Sequence, residues 1–234
     1  ANTIMKTGRL HRYNLEADEK SQASMLETEF AKWQGVNFCL ACTSGGYAIQ
    51  LALRASGVQV GDKVLSNAYT LAPVPGAIHN VGAEPILVDI DENYHIHIND
   101  LISKSESSGA KYLLLSHMRG HIADMDKIVR ICNRMEIKII EDCAHTMGSK
   151  WNGIRSGNFG LVSAFSTQTY KHMNSGEGGL LTTNDHELAA KAVVSSGSYM
   201  LYGRHGAIPT EKVFRKAVSY THLRAHETVL DVVC

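Results

Sequence analysis

The chain has 234 residues, 44% of them hydrophobic and 20% charged, enough to bury the core of one large α/β domain or of two small ones. Lys plus Arg and Asp plus Glu each number 23, so no net field favours nucleic acid, an anionic membrane or a polyanionic substrate. No apolar run approaches the roughly 18 to 20 residues of a spanning helix, and the polar segment 1–19 lacks a secretory hydrophobic region. The expectation is a soluble cytoplasmic protein with no nucleic-acid or membrane partner.

Segment 21–34 places Met25, Leu26, Glu29, Phe30 and Trp33 at helical spacing, and Gly35 stands where a C-terminal glycine stops a helix. The apolar run 36–42 predicts a strand. Thr43, Ser44 and Gly45 then open a helical stretch that ends near Gly57, and GDKVLS resumes an extended segment. The pattern repeats with a helix near 71–80, a strand at 84–89, a helix near 99–106, a strand at 111–116, a helix at 124–135 and a strand at 137–141. Strands that are apolar throughout, separated by helices, predict a mostly parallel sheet covered on both faces, with ligands at the carboxyl ends of the strands. Thr43, Ser44, the segment 67–70, His117 and Asp142 follow strands and are the polar residues to inspect. The Ser-rich stretch 103–109 is expected to be a helix end and loop.

The five cysteines, at 39, 42, 132, 143 and 234, form no even framework, which argues against a disulfide-stapled secreted domain. Cys39 and Cys42 lie in one apolar run without a second pair, so they are expected to be buried strand residues. His95 with His97, and His117 with His121, have spacings found in metal sites but no convincing Cys or carboxylate beside them. His186-Glu187 lacks a zinc-protease partner because Ala190 stands where the second His would be. The expectation is no metal.

Asp142 places a carboxylate at a strand end, where it either faces the crevice or caps a helix. Lys171 sits among small and polar residues and is followed six positions on by Glu177 and a glycine pair, a turn that lets backbone approach a ligand or another strand closely. Seven ordered pieces accompany it: TSGGYAIQLAL, GDKVLSNAYT, VGAEPILVDID, HMRGHIADMD, IIEDCAHTMG, GNFGLVSAFS and KHMNSGEGGLLTTND. In this order, from about residue 21 to about 207, the chain resembles the DegT/StrS family of pyridoxal-phosphate sugar aminotransferases, which have the type I aspartate-aminotransferase fold.

That resemblance implies a three-layer α/β/α domain with a mostly parallel sheet of about seven strands. It implies Lys171 as the Schiff-base lysine, which requires a depressed pKa supplied by burial and the nearby cationic ring. It implies Asp142 as the partner of the pyridine nitrogen, Ala144 against one face of the ring and Tyr69 stacked on the other. Thr43, Ser44 and Ser166 would contact the cofactor phosphate, the first two at a helix start where free N–H groups favour an anion, although either could merely be an N-cap. His145 stands where most relatives have Gln, near the cofactor's phenolic oxygen, and can gain charge near neutral pH. His172 points to a branch of the family in which His replaces the lysine and deoxysugars are dehydrated; here the lysine is present, so transamination leads.

The implied reaction moves an amino group, with glutamate as the donor, to a keto group on a nucleotide-linked sugar, in a homodimer. Deoxysugar dehydration, a non-catalytic regulator and an inactive fragment are the alternatives. The expected division is an N-terminal arm over 1–20, a cofactor-binding large domain over 21–217 and a non-native tail over 218–234. The tail departs from the family and resembles translated sequencing-adapter DNA on metagenomic gene predictions. The family's smaller C-terminal domain is expected to be missing.

Overall fold

The computed structural model describes residues 2–8, 12, 13, 15, 16, 19–199 and 202–224. Parts of the predicted arm 1–20, and residues 225–234 of the predicted tail, lie outside the described residues. A short helix α1 (Asn2–Thr7) precedes α2 (Gln22–Gln34), β1 (Phe38–Cys42), α3 (Gly45–Ala55), β2 (Lys63–Asn67), α4 (Pro73–Asn80), β3 (Glu84–Val88), α5 (Ile98–Ser108) and β4 (Tyr112–Ser116). There follow α6 (Met125–Arg134), β5 (Lys138–Asp142), the small hairpin of β6 (Lys150–Trp151) and β7 (Ile154–Arg155), β8 (Val162–Ser166), β9 (Gly179–Thr183), α7 (His186–Ser195) and α8 (Glu211–Arg224).

Local chemistry sets the helix ends. Ser21 accepts from the Ser24 amide at the start of α2, and Gly35 closes that helix at φ 80°. Ser44, Asp124 and Asp185 cap α3, α6 and α7 in the same way, each satisfying an amide that has no intrahelical acceptor. The Ser-rich stretch expected to end α5 stays helical instead, up to Gly109 at φ 69°. Ser105 and Ser107 donate their hydroxyls to the carbonyls four residues back rather than to a turn.

Seven strands form one sheet in the order β1-β9-β8-β5-β4-β2-β3. The sheet is parallel from β3 through β8, while β9 runs antiparallel to both β8 and β1. Adjacent residues on a strand face opposite layers. Val64, Leu114, Ile140, Val162 and Leu181 join α3, α4 and α7 in one apolar cluster. Leu65, Leu113, Leu115 and Ile139 join α5 and α6 in another, and Cys39, Phe165 and Leu180 meet α2 through Phe30. The result is the expected three-layer α/β/α arrangement. Cys39 is buried and Cys42 half-buried, and burial pushes the Cys42 thiol up to about 12. Among the described residues no helix is long and apolar enough to cross a membrane.

Candidate active site

The carboxyl ends of β2, β4 and β5 are tied together by side chains where the ladders run out. Asn67, the last residue of β2, accepts from the Ser116 amide at 2.9 Å and donates to the Ser116 carbonyl at 3.1 Å. Ser116 in turn donates its hydroxyl to Asp142 Oδ2 at 2.8 Å, across the register pair that joins β4 to β5. Asp142 is thus the last residue of its strand rather than the one after it, buried, with Oδ1 accepting from the Ala144 amide at 3.1 Å. A carboxylate so held cannot swing away from the cavity floor.

Beside it opens a cavity of about 360 Å³ lined by Ser44, Gly45, Gly46, Asp142, Ala144, His145, Ser166 and Lys171, with Leu71, Ser116, Gln168 and Glu177 among the other walls. Lys171 arrives on the loop from β8 to β9. That loop is closed by Thr167 N–H to Gly178 O (2.9 Å), Ser175 N–H to Thr167 O (2.8 Å) and Thr169 N–H to Gly176 O (2.9 Å). The glycine pair is needed for close approach: a Cβ at Gly178 would collide with Thr167 Oγ1, and one at Gly179 with the Ser44 carbonyl. The start of β9 therefore passes directly behind the start of α3. At that start Gly45 and Gly46, whose amides have no intrahelical acceptor, line the cavity. Gly45 faces Ser166 so closely that a Cβ there would stand 2.7 Å from the Ser166 Cβ.

Lys171 Nζ meets His145 Nε2 at 2.7 Å, and His145 Nδ1 meets the Arg119 amide at 3.3 Å. Burial lowers the Lys171 pKa, Asp142 acts to raise it, and Arg119 lowers it further. Burial also lowers the His145 pKa, reinforced by Lys171 and opposed by Asp142. The expected depression of the lysine thus arises from the protein's own groups, burial first.

Six of the eight residues singled out from sequence line this cavity: Ser44, Asp142, Ala144, His145, Ser166 and Lys171. Thr43 is exposed and does not line it. Tyr69 does not line it either: its ring packs against Tyr94 at 5.1 Å, and Asn67 Nδ2 holds its carbonyl. The wall is supplied two residues later by Leu71, which is 47% exposed.

Sequence reasoning also missed Glu141. Fully buried one residue before Asp142, it accepts from the amides of Gly157 (2.9 Å), Phe159 (2.8 Å) and Gly160 (2.7 Å) and faces His117 Nε2 at 3.2 Å. No pattern in the chain marks it, since its donors are loop amides rather than recognisable side chains. His117, Glu141 and Cys143 bring ligand-type atoms within 4.8 Å of one another. The carboxylate is already occupied by these donors, and burial pushes the Cys143 thiol well up. The group is a clamp that fixes the loop 157–160 to the end of β5. Of the other histidines singled out from sequence, His97 caps α5 by accepting from Asp100 N–H at 3.2 Å, and His121 packs against Tyr94 and His95.

Residues 15–220 match the model of the DegT/DnrJ/EryC1/StrS aminotransferase family. GDP-perosamine synthase of Escherichia coli O157:H7 is 36% identical over 163 residues, which cover 69% of this chain and 44% of that protein. An aminotransferase from Psychrobacter cryohalolentis superposes with a TM-score of 0.75 at 28% identity, covering 82% of this chain and 47% of its own. A GDP-4-keto-6-deoxymannose-3-dehydratase solved with a trapped PLP-glutamate geminal diamine superposes at 0.70 with 27% identity, over 74% of this chain and 45% of its own. The chain thus spans about half the length of the relatives it matches.

Proposed function

The chain belongs to the DegT/DnrJ/EryC1/StrS aminotransferase family, and from that premise we propose that its cavity is the pyridoxal-phosphate site of a sugar aminotransferase. The observation that carries the reading is the convergence of Lys171, Asp142 and the open amides of α3 on one cavity. The cavity suits the group chemically. Free helix amides with the Ser44 and Ser166 hydroxyls beside them match a phosphate, a buried fixed carboxylate matches a ring nitrogen, and a half-buried amine of lowered pKa matches an aldehyde.

Bound pyridoxal phosphate would supply an electron-accepting ring through which an amino group can pass between an amino acid and a keto group. The chain's own residues do the rest. Asp142, immobilised by Ser116 and the Ala144 amide, would keep a proton on the ring nitrogen through a charge-assisted contact. Lys171 would carry protons at the reacting carbon, and burial shifts its pKa in the direction that frees the amine to accept as well as donate. Ala144 and Leu71 would bracket the ring, small on one side and aliphatic on the other.

The sugar acceptor follows the name of the perosamine synthase relative, and glutamate as donor follows the neighbour solved with PLP-glutamate. We extend the proposal to a cytoplasmic homodimer. The groove of Leu26, Phe30, Trp33, Met147 and Met173, with Trp33 42% exposed, offers the apolar surface that a subunit contact covers. The test is addition of pyridoxal phosphate to the purified chain. A visible absorbance band should appear and be lost in Lys171→Ala, and a band that persists in that variant sinks the assignment. Amine appearing on a ketosugar with glutamate as donor, without loss of a hydroxyl, separates transfer from dehydration.

A further inference from the structure

We infer that His145 is a positioning residue that holds Lys171 as the uncharged amine before any cofactor arrives. The inference rests on the proposed role of Lys171 but concerns the cofactor-free protein alone. A backbone amide can only donate, so the 3.3 Å contact from Arg119 N–H makes His145 Nδ1 an acceptor. A neutral imidazole carries one proton, which then sits on Nε2. Nε2 lies 2.7 Å from Lys171 Nζ, so the ring donates and the lysine must offer a lone pair, which an ammonium lacks.

The opposite arrangement, an ammonium donating to Nε2, would put the imidazole proton on Nδ1 and set it against the Arg119 N–H. The backbone favours the first arrangement. Arg119 adopts a left-handed φ of 55° inside the tight turn Met118–Gly120, a conformation that only surrounding constraints sustain outside glycine, and this aims its amide at the ring. Gly120 follows at φ 87°, where an added Cβ would already touch the His145 carbonyl at 3.6 Å.

The charged and titratable groups facing His145 are Lys171, Asp142, Arg119 and His172. Arg119 opposes a second proton on the ring, as Lys171 and His172 do whenever they carry charge, and Asp142 favours one. Burial lowers the pKa of the ring and of the amine alike, the same direction as the hydrogen-bond geometry. Lys171 is then a nucleophile at neutral pH without first giving its proton to solvent.

Two measurements on the cofactor-free full chain test this. In ¹⁵N-labelled protein the His145 ring should carry its proton on Nε2 and leave Nδ1 bare; protonated Nδ1 overturns the inference without any substitution. Competitive labelling with acetic anhydride across neutral and alkaline pH, read by mass spectrometry on the Lys171 peptide, gives the lysine's own midpoint. His145→Gln can copy both contacts, with its carbonyl oxygen toward Arg119 and its amide toward Lys171, and should keep the midpoint near that of the parent. His145→Leu fills similar space without a donor and should raise the midpoint, so that free amine at neutral pH falls about tenfold for each pH unit the midpoint climbs. Equal midpoints in the two variants would show that burial alone sets the amine, and the inference fails. Absence of the visible band on adding pyridoxal phosphate, with the tautomer and midpoints as stated, would sink the cofactor assignment and leave this pair standing.

Discussion

Replacing Glu141 by Gln probes the clamp beneath the site and has a magnitude that the geometry sets. Oε1 takes the Phe159 and Gly160 amides, and Oε2 takes the Gly157 amide and faces His117. A glutamine can keep its one oxygen on the side with two amides, which turns its NH₂ toward Gly157 N–H. His117 can adapt by changing tautomer, because its Nδ1 has no partner to lose, but the Gly157 amide cannot. One buried amide left unpaired costs about 1–3 kcal/mol, and the two retained bonds each lose roughly 1 kcal/mol of charge assistance. Relief of the carboxylate's desolvation offsets part of this, leaving a net loss of about 3 kcal/mol. With a urea slope of about 2–3 kcal/mol per molar, the unfolding midpoint should fall by about 1 M. Hydrogen exchange should quicken selectively at Gly157, ahead of amides within the sheet. A midpoint within about 0.2 M of the parent, or unchanged protection at Gly157, would refute the clamp.

Two further outcomes follow from other parts of the molecule. Glu27 is buried, which by itself raises its pKa, but hydrogen bonds from His205 and Arg12 and the Arg12 charge outweigh burial and lower it below the ordinary 4.5. Its folded pKa lies below the unfolded one, so its contribution is complete above about pH 4.5 and is lost as pH falls through the folded value. Unfolding free energy measured against pH should decline over that acid window, and the decline should flatten in Glu27→Gln; parallel curves would show that Glu27 is not responsible. At the ring wall, Leu71→Ala should weaken pyridoxal phosphate binding about fivefold, the equivalent of about 1 kcal/mol of apolar contact, while Tyr69→Ala should change it little. Titration of both variants decides, and the reverse order would return the stacking role to Tyr69.

Much of the architecture is legible in the chain because its causes are local. Apolar runs of strand length, serine and aspartate caps and the glycine after α2 act within a few residues, so the elements from α2 to β5 fall within a residue or two of where periodicity places them. Ordered motifs add Lys171, Asp142 and their neighbours as a site. Spacing alone leaves Lys171 indistinguishable from a surface lysine, because nothing local shows that the loop between β8 and β9 folds back over the end of β5.

The tertiary structure decides what local pattern cannot carry. Strand β9 runs against its neighbours because a short closed loop returns it beside β8, a matter of connection rather than of its apolar content. Tyr69 and Leu71 are two residues apart and chemically suited to the same wall, and only the packing of Tyr69 on Tyr94 sends one of them elsewhere. Glu141 becomes a clamp through amides 16 to 19 residues away, and His145 acquires its tautomer from an amide 26 residues back. The sequence by itself determines which groups exist and which elements carry them. Their protonation and orientation depend on donors and burial that exist only once distant segments have packed.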